Sequence, residues 1–402
     1  MRIFAFMLAK SLRTALVITL AMSVVLCVLF CFVAEKGYVF DDEYTTAFAE
    51  LERESAYKEI SEKAAEFQNE SNKLSNDINE YINSCQKYGE PPVVLPDGLA
   101  GKAVRSTQKG IDGSTADKSK MYAFMLTELK DGSESEQLIN EKLSGYSRNA
   151  RRGVTDEYSL ALSGVLTQDY ERVLERQKET DKLYDTRAAN VYVNFLAEDK
   201  LFYALTFLLF FAAFSSERQS RRLKAFAITK SGAGSFILCK QLTSAVVCLL
   251  CVTLYHLCLF LLMCAFGGGD CIDMPLQYLE GYELSSFDMS FGGFCALMLI
   301  LRLLSAALLC QTVLLLSFLS RKTIIAGIVC LAPPALFMGL ITSESEKARF
   351  ISCNMNYFFG GEGYMKIFGT PFPAVWLYVF AVVFLTAVIN ITIYAQSLRR
   401  EF

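Results

Sequence analysis

Histidine is nearly missing: the 402 residues contain one, His256. A multi-histidine metal site is therefore impossible within one chain. Residues 34–200 contain none, so no Ser–His–Asp set can be assembled there. Tryptophan is equally scarce, with Trp376 alone. Glycine and proline are absent between Gly37 and Gly89, and again between Gly164 and Gly232, so neither stretch carries the usual loop punctuation. No phosphate-binding loop is present; Gly98-Leu-Ala-Gly101-Lys102-Ala103 lacks both the spacing and the hydroxyl residue of such a cradle. Charge is sparse, at 20% of residues against 53% hydrophobic. A soluble chain of this length with 13% aromatics could not bury that much apolar surface.

The charge that exists is unevenly placed. Residues 34–200 have a net charge of −10, and the remainder +7. An acidic, polar block is thus inserted in a basic, apolar frame. That excludes a single soluble enzyme domain, a nucleic-acid binder and a disordered tail protein.

The frame predicts membrane helices, each needing roughly 20 apolar residues. Thr14–Ala34, Gln241–Gly269, Met289–Ser320, Thr323–Ser343 and Ala374–Tyr394 qualify, with Arg302 the one clear charge among them. Leu201–Ser216 is uncharged but short, so it either extends upstream or draws Lys200 and Arg218 toward the headgroups. Six spans are expected. The first is longer than a signal-peptide apolar region and is followed by no A-x-A site.

Basic residues set the orientation. Arg2, Lys10 and Arg13 precede the first span, and Arg218, Arg221, Arg222, Lys224, Lys230 and Lys240 lie between the second and third. Arg321 and Lys322 follow the fourth, and Arg399 and Arg400 the sixth. The opposite flank carries Asp270, Asp273, Glu280, Glu283 and Asp288 with no Lys or Arg. The expectation is a plasma-membrane protein with both termini cytoplasmic, residues 36–198 outside, and Trp376 at the outer interface.

In the outer block, Tyr57, Ile60, Ala64, Phe67, Ser71, Leu74, Ile78 and Tyr81 recur in steps of three and four, as in an amphipathic helix with a coiled-coil-like seam. Residues 89–113 read as a loop, with shorter helices near Lys118–Lys130 and Glu134–Tyr146. From Leu162 through Leu166, Tyr170, Val173, Gln177, Thr180, Tyr184, Ala188 and Val191 to Phe195 a second stripe predicts one continuous helix returning to the membrane. The block is either a solvated helical stalk or a docking and substrate-handling surface.

Cysteine suggests little chemistry. On the outer side of the spans only Cys85, Cys271 and Cys353 occur, an odd number that defines no disulfide framework. Cys248 and Cys251 have redox-motif spacing but sit in an apolar helix, where Cys acts as a small hydrophobe. His256 beside them is either a packing residue or a proton-relay candidate.

The connection at 216–240 is the most informative stretch. Leu223, Phe226 and Ala227 share one helical face and Arg218, Arg221 and Arg222 another, ahead of Gly232 and Gly234. A basic amphipathic helix of this kind either anchors at the inner membrane surface or docks a partner. Glu217 just after the second span, the helix, the Gly/Ser turn at Ser231–Ser235 and Lys240 opening the third span together resemble the cytoplasmic loop of ABC-2 type transporter permeases. The six-span plan resembles that family too, as does the re-entrant-looking loop at Ala348–Pro373. The likeness covers about 1–35 and 195–402 and leaves out the stalk; the Gly-rich turn lacks the proline often found there.

The resemblance implies an all-α polytopic membrane protein in three parts: 1–35, an interfacial helix and first span; 36–198, an extracytoplasmic helical domain; and 199–402, spans two to six with a coupling helix at 216–230. It implies an exporter permease with no cofactor of its own, ATP being bound by a separate cytoplasmic ABC ATPase, and a second permease copy or paralogue as partner. Glu217, Arg218, Arg221, Arg222, Leu223, Phe226 and Ala227 would carry the coupling. A membrane-anchored sensor or scaffold, whose stalk binds a ligand or partner, is the competing reading. An ion-coupled carrier or membrane enzyme would need intramembrane acids, and the apolar runs contain none. Arg302 either snorkels to the bilayer edge or faces a dimer interface or translocation path.

Overall fold

The computed structural model describes residues 2–36, 129–130, 133–152, 157–179, 184–197, 199–216, 232–320, 322–341, 345–361 and 363–399, with isolated helical positions between 62 and 73. The seam expected at Tyr57–Tyr81 and the loop at 89–113 lie almost wholly outside these residues, and so does the whole of 217–231.

The chain is an α-helical, multi-pass membrane protein. Among the described residues, five helices are long and apolar enough to cross a bilayer: α1 (Arg2–Lys36), α6 (Gly232–Ala265), α7 (Phe291–Leu319), α8 (Thr323–Ile341) and α11 (Ala374–Arg399). Helix α7 is the hub, with α6, α8 and α11 packed around it, while α1 lies chiefly on α6. Broad apolar faces, including Val17, Ile324, Ile328 and Phe384, remain exposed for lipid. Helix α7 opens at Ser290, whose hydroxyl accepts the Gly293 N–H at 3.2 Å, an N-cap bond. Helix α6 runs out at Gly267, held at φ +88°, where a glycine meets no steric penalty.

The returning stripe is not one helix. Helix α3 (Glu157–Glu179) is followed by β2 (Tyr184–Asp185), α4 (Arg187–Ala197) and α5 (Leu201–Phe210). Two competitors override the helical pattern. Strand β2 pairs antiparallel with β1 (Leu129–Lys130), which also displaces the end of the helix expected over Lys118–Lys130. At the second break the Asp199 carboxylate takes the Phe202 N–H at 3.2 Å, so a side chain starts a new helix where the sequence alone offers no reason to stop. Helix α5 has 10 residues, about 15 Å of rise, half of what a crossing needs.

The chain divides into two compact units. One is Met1–Val39 with Gly132–Thr180 and Arg187–Phe402; the other is Phe40–Asp131 with Asp181–Thr186. Within the first, α2 (Ser133–Arg152) and α3 form a hairpin around Ile139, Leu166, Tyr170 and Val173, so the stripe does mark a core as far as Gln177, which donates to Ser135 Oγ at 2.9 Å. The hairpin docks on residues 266–290: Tyr170 Oη donates to the Leu284 carbonyl at 2.9 Å, and Arg176 pairs with Asp288 at 2.9 Å. The segment expected to be re-entrant is built from α9 (Glu346–Ile351), α10 (Met355–Phe359) and a ribbon of β3 (Tyr364–Ile367) and β4 (Thr370–Pro373). Tyr364 Oη on that ribbon donates to Asp169 at 2.6 Å. The two short ribbons are additions to a fold expected to be all-helical.

Candidate functional site

The break between α4 and α5 is where charge enters the bundle. Arg302 lies 11 residues into α7, about 16 Å from its start and near its middle. Its Nη1 is 3.0 Å from Asp199 Oδ2, with side chains 8% and 1% exposed. Its Nη2 donates to the Leu196 carbonyl, and the guanidinium stands 5.3 Å from the Phe202 ring centroid. Asp199 Oδ1 also accepts from Tyr255 Oη of α6 at 3.0 Å. An isolated charge here would be very costly, but this pair has both ions hydrogen-bonded as well as paired.

The same cluster mends two helix ends. A helix leaves its first N–H and last C=O groups unpartnered. Asp199 takes an N–H of the first turn of α5, and Arg302 takes a carbonyl of the last turn of α4. At the far end of α5, Ser317 Oγ of α7 accepts from the N–H groups of Phe214 and Ser215 at 3.1 and 3.2 Å. The Phe214 and Phe318 rings meet edge-on at 5.6 Å. The two ties are 15 residues apart on α7, about 22 Å of helical rise, and on the other side they bracket α5, one just before its start and one in the turn after its end. Helix α5 is therefore held to α7 through the residues flanking both of its ends.

Beside the break opens a cleft of about 650 Å³. Leu29 and Val33 of α1, Asn194 and Phe195 of α4, Lys200, and Asn354 and Asn356 around α10 line it, with Asp199 at the back. A smaller cavity of about 220 Å³ lies between α6 and α7, lined by Tyr192, His256, Phe260 and Cys295.

The expected site residues separate into two groups. Glu217, Arg218, Arg221, Arg222, Leu223, Phe226 and Ala227 lie outside the described residues. Arg302 and His256 are both buried, at 7% and 4% exposure. Arg302 is enclosed by its own chain and paired with an acid, a partner not anticipated from the apolar runs. His256 packs near Phe202 and Tyr255, and its Nε2 has no hydrogen-bond partner. Cys271 and Cys353 are buried, and burial pushes the Cys353 thiol up; Cys85 lies outside the described residues. Among the described residues no group of three or more His, Cys, Asp or Glu could hold a metal. Trp376 is 57% exposed in the first turn of α11.

Sequence reasoning missed Asp199, Tyr255 and Ser317. The shortness of the second apolar run was the available signal: extending it upstream carries Asp199 inward. Nothing in the sequence marked Tyr255 or Ser317, which look like ordinary residues of apolar helices. No family model, curated protein or solved structure matches this chain.

Proposed function

We propose that the chain is the membrane-spanning permease subunit of an ATP-driven exporter, energised by a separate cytoplasmic ATPase and paired with a second permease copy or paralogue. In this reading there are six crossings, and α4 and α5 in tandem make the second. Both termini and residues 217–231 are cytoplasmic, following the basic flanks. The acidic 36–198 block is an extracytoplasmic helical stalk on the membrane frame.

The observation that carries the reading is the double tie between α5 and α7. Residues 217–231 follow directly on the tied end of α5, and α7 is the helix around which the others pack. A push delivered to that loop would reach the hub through two fixed points rather than dissipate in a loose helix. The chain has no phosphate loop of its own, so the push comes from a partner. Leu223, Phe226 and Ala227 supply anchors for a groove in the ATPase, and Arg218, Arg221 and Arg222 pair with acids around it.

The test is co-purification. Phe226→Asp puts an unpaired charge into the proposed contact and lies outside the apolar helices, so insertion should persist while ATPase recovery and transport are lost. Recovery of the ATPase at wild-type yield would remove this reading.

A further inference from the structure

Among its described residues, the cleft beside the α4–α5 break is rich in hydrogen-bond donors, with Asn194 adding an amide that both donates and accepts. Its single acid, Asp199, is spent: Oδ2 is paired with Arg302, and Oδ1 accepts from Tyr255 and from the Phe202 N–H. Asn354 Oδ1 accepts the Tyr357 N–H at 3.1 Å, a group that can only donate, so the amide orientation is fixed. Asn356 Oδ1 accepts from Tyr282 Oη. The acceptor ends of both side chains are thereby occupied, and their NH₂ donors remain. Lys200 adds an exposed ammonium that pairs with no acid among the described residues.

The opposite wall is apolar and faces lipid. Leu29 and Val33 are 43% and 41% exposed and belong to the last turns of the Met7–Ala34 candidate span. Donors and the Lys200 cation thus face an aliphatic wall at the end of a membrane helix. The volume, about 650 Å³, falls within the roughly 300–1,000 Å³ of ligand pockets.

We propose that this cleft binds an anionic phospholipid. The phosphate sits against Lys200 and the amides of Asn354 and Asn356, and the first acyl carbons lie on Leu29 and Val33. A phosphate brings only acceptors, matching the Lys200 ammonium and the NH₂ groups of Asn354 and Asn356, and the ammonium–phosphate contact is charge-assisted. The site needs a membrane but no transport activity, so it stands or falls apart from the exporter reading.

The test uses the full chain in detergent, with lipid binding read by native mass spectrometry and by thermal shift. Phosphatidylglycerol should bind and raise the melting midpoint, phosphatidylcholine should do so much less, and glycerol phosphate should do neither. Lys200→Gln should weaken phosphatidylglycerol binding roughly tenfold. Asn354→Asp keeps an acceptor for Tyr357 but replaces the donor with a negative charge, and should weaken it at least as much. Lys200 is exposed and has no ion-pair partner among the described residues, so its variant should fold as wild type does; the melting midpoint without lipid checks this. Equal response to both lipids, displacement by glycerol phosphate, or wild-type binding by the two variants would each overturn the proposal.

Discussion

Arg302 and Asp199 are 103 residues apart in the chain, and their charged atoms are 3.0 Å apart in the bundle. Replacing Arg302 by Leu would leave a buried carboxylate without its cation, at a cost of about 3–5 kcal/mol. The detergent-purified variant should melt well below wild type. Adding Asp199→Leu should recover part of the loss, since an apolar pair removes the stranded charge but not the bonds to Tyr255 and Phe202. An unchanged midpoint in Arg302→Leu would show that the pair contributes nothing.

Ser317→Ala strands two backbone N–H groups, those of Phe214 and Ser215. Each buried unsatisfied donor costs about 1–3 kcal/mol. Hydrogen exchange over 211–216 should accelerate while the Asp199 end of α5 keeps its protection. Uniform exchange along α5 would contradict a local tie.

Gly360 is a point of close approach. A Cβ there would lie 2.7 Å from the carbonyl oxygens of both Asn356 and Gly281, and backbone cannot easily move aside. Gly360→Ala should cost about 1–3 kcal/mol, as overpacking does. It should also open residues 276–290 to limited proteolysis; wild-type resistance would mean that α10 and this loop are not in contact.

Burial, reinforced by the hydrogen bond to Asp169, raises the Tyr364 phenol above its ordinary value of about 10. The folded state therefore favours the protonated phenol. Its contribution is complete below the unfolded value and disappears as pH rises through the folded one. An alkaline titration should show late tyrosinate formation and loosening of the ribbon. Tyr364→Phe should remove the late-titrating phenol; an identical titration in that variant would assign the effect elsewhere.

For topology, a cysteine at Ser114 in a cysteine-free background should react with an impermeant thiol reagent in whole cells, and one at Ser220 should not. Reversed labelling would invert the proposed orientation and detach the 217–231 segment from any cytoplasmic partner.

Long apolar runs made α1, α6, α7, α8 and α11 legible in sequence, because a bilayer's thickness imposes a minimum length that composition reveals directly. The core of the α2–α3 hairpin was legible too: Leu166, Tyr170 and Val173 keep helical spacing. The α4–α5 break was not. Its cause is an Asp199 carboxylate competing for a backbone N–H, stabilised by a residue of another helix, and local periodicity carries no trace of such a partner. The donors around the cleft were hidden for the same reason, since Asn354 and Asn356 gain their character only once Tyr357 and Tyr282 occupy their oxygens.

The break also constrains how the protein is made. Helix α5 is too short to stay in lipid alone, and its Asp199 becomes tolerable only beside Arg302. At about 5–20 residues per second, a ribosome needs roughly 5 to 20 s to add the 103 residues between them. For that interval the nascent segment has no cation to shelter its carboxylate. The buried pairing of this segment is therefore completed only once α7, made 103 residues later, is in place.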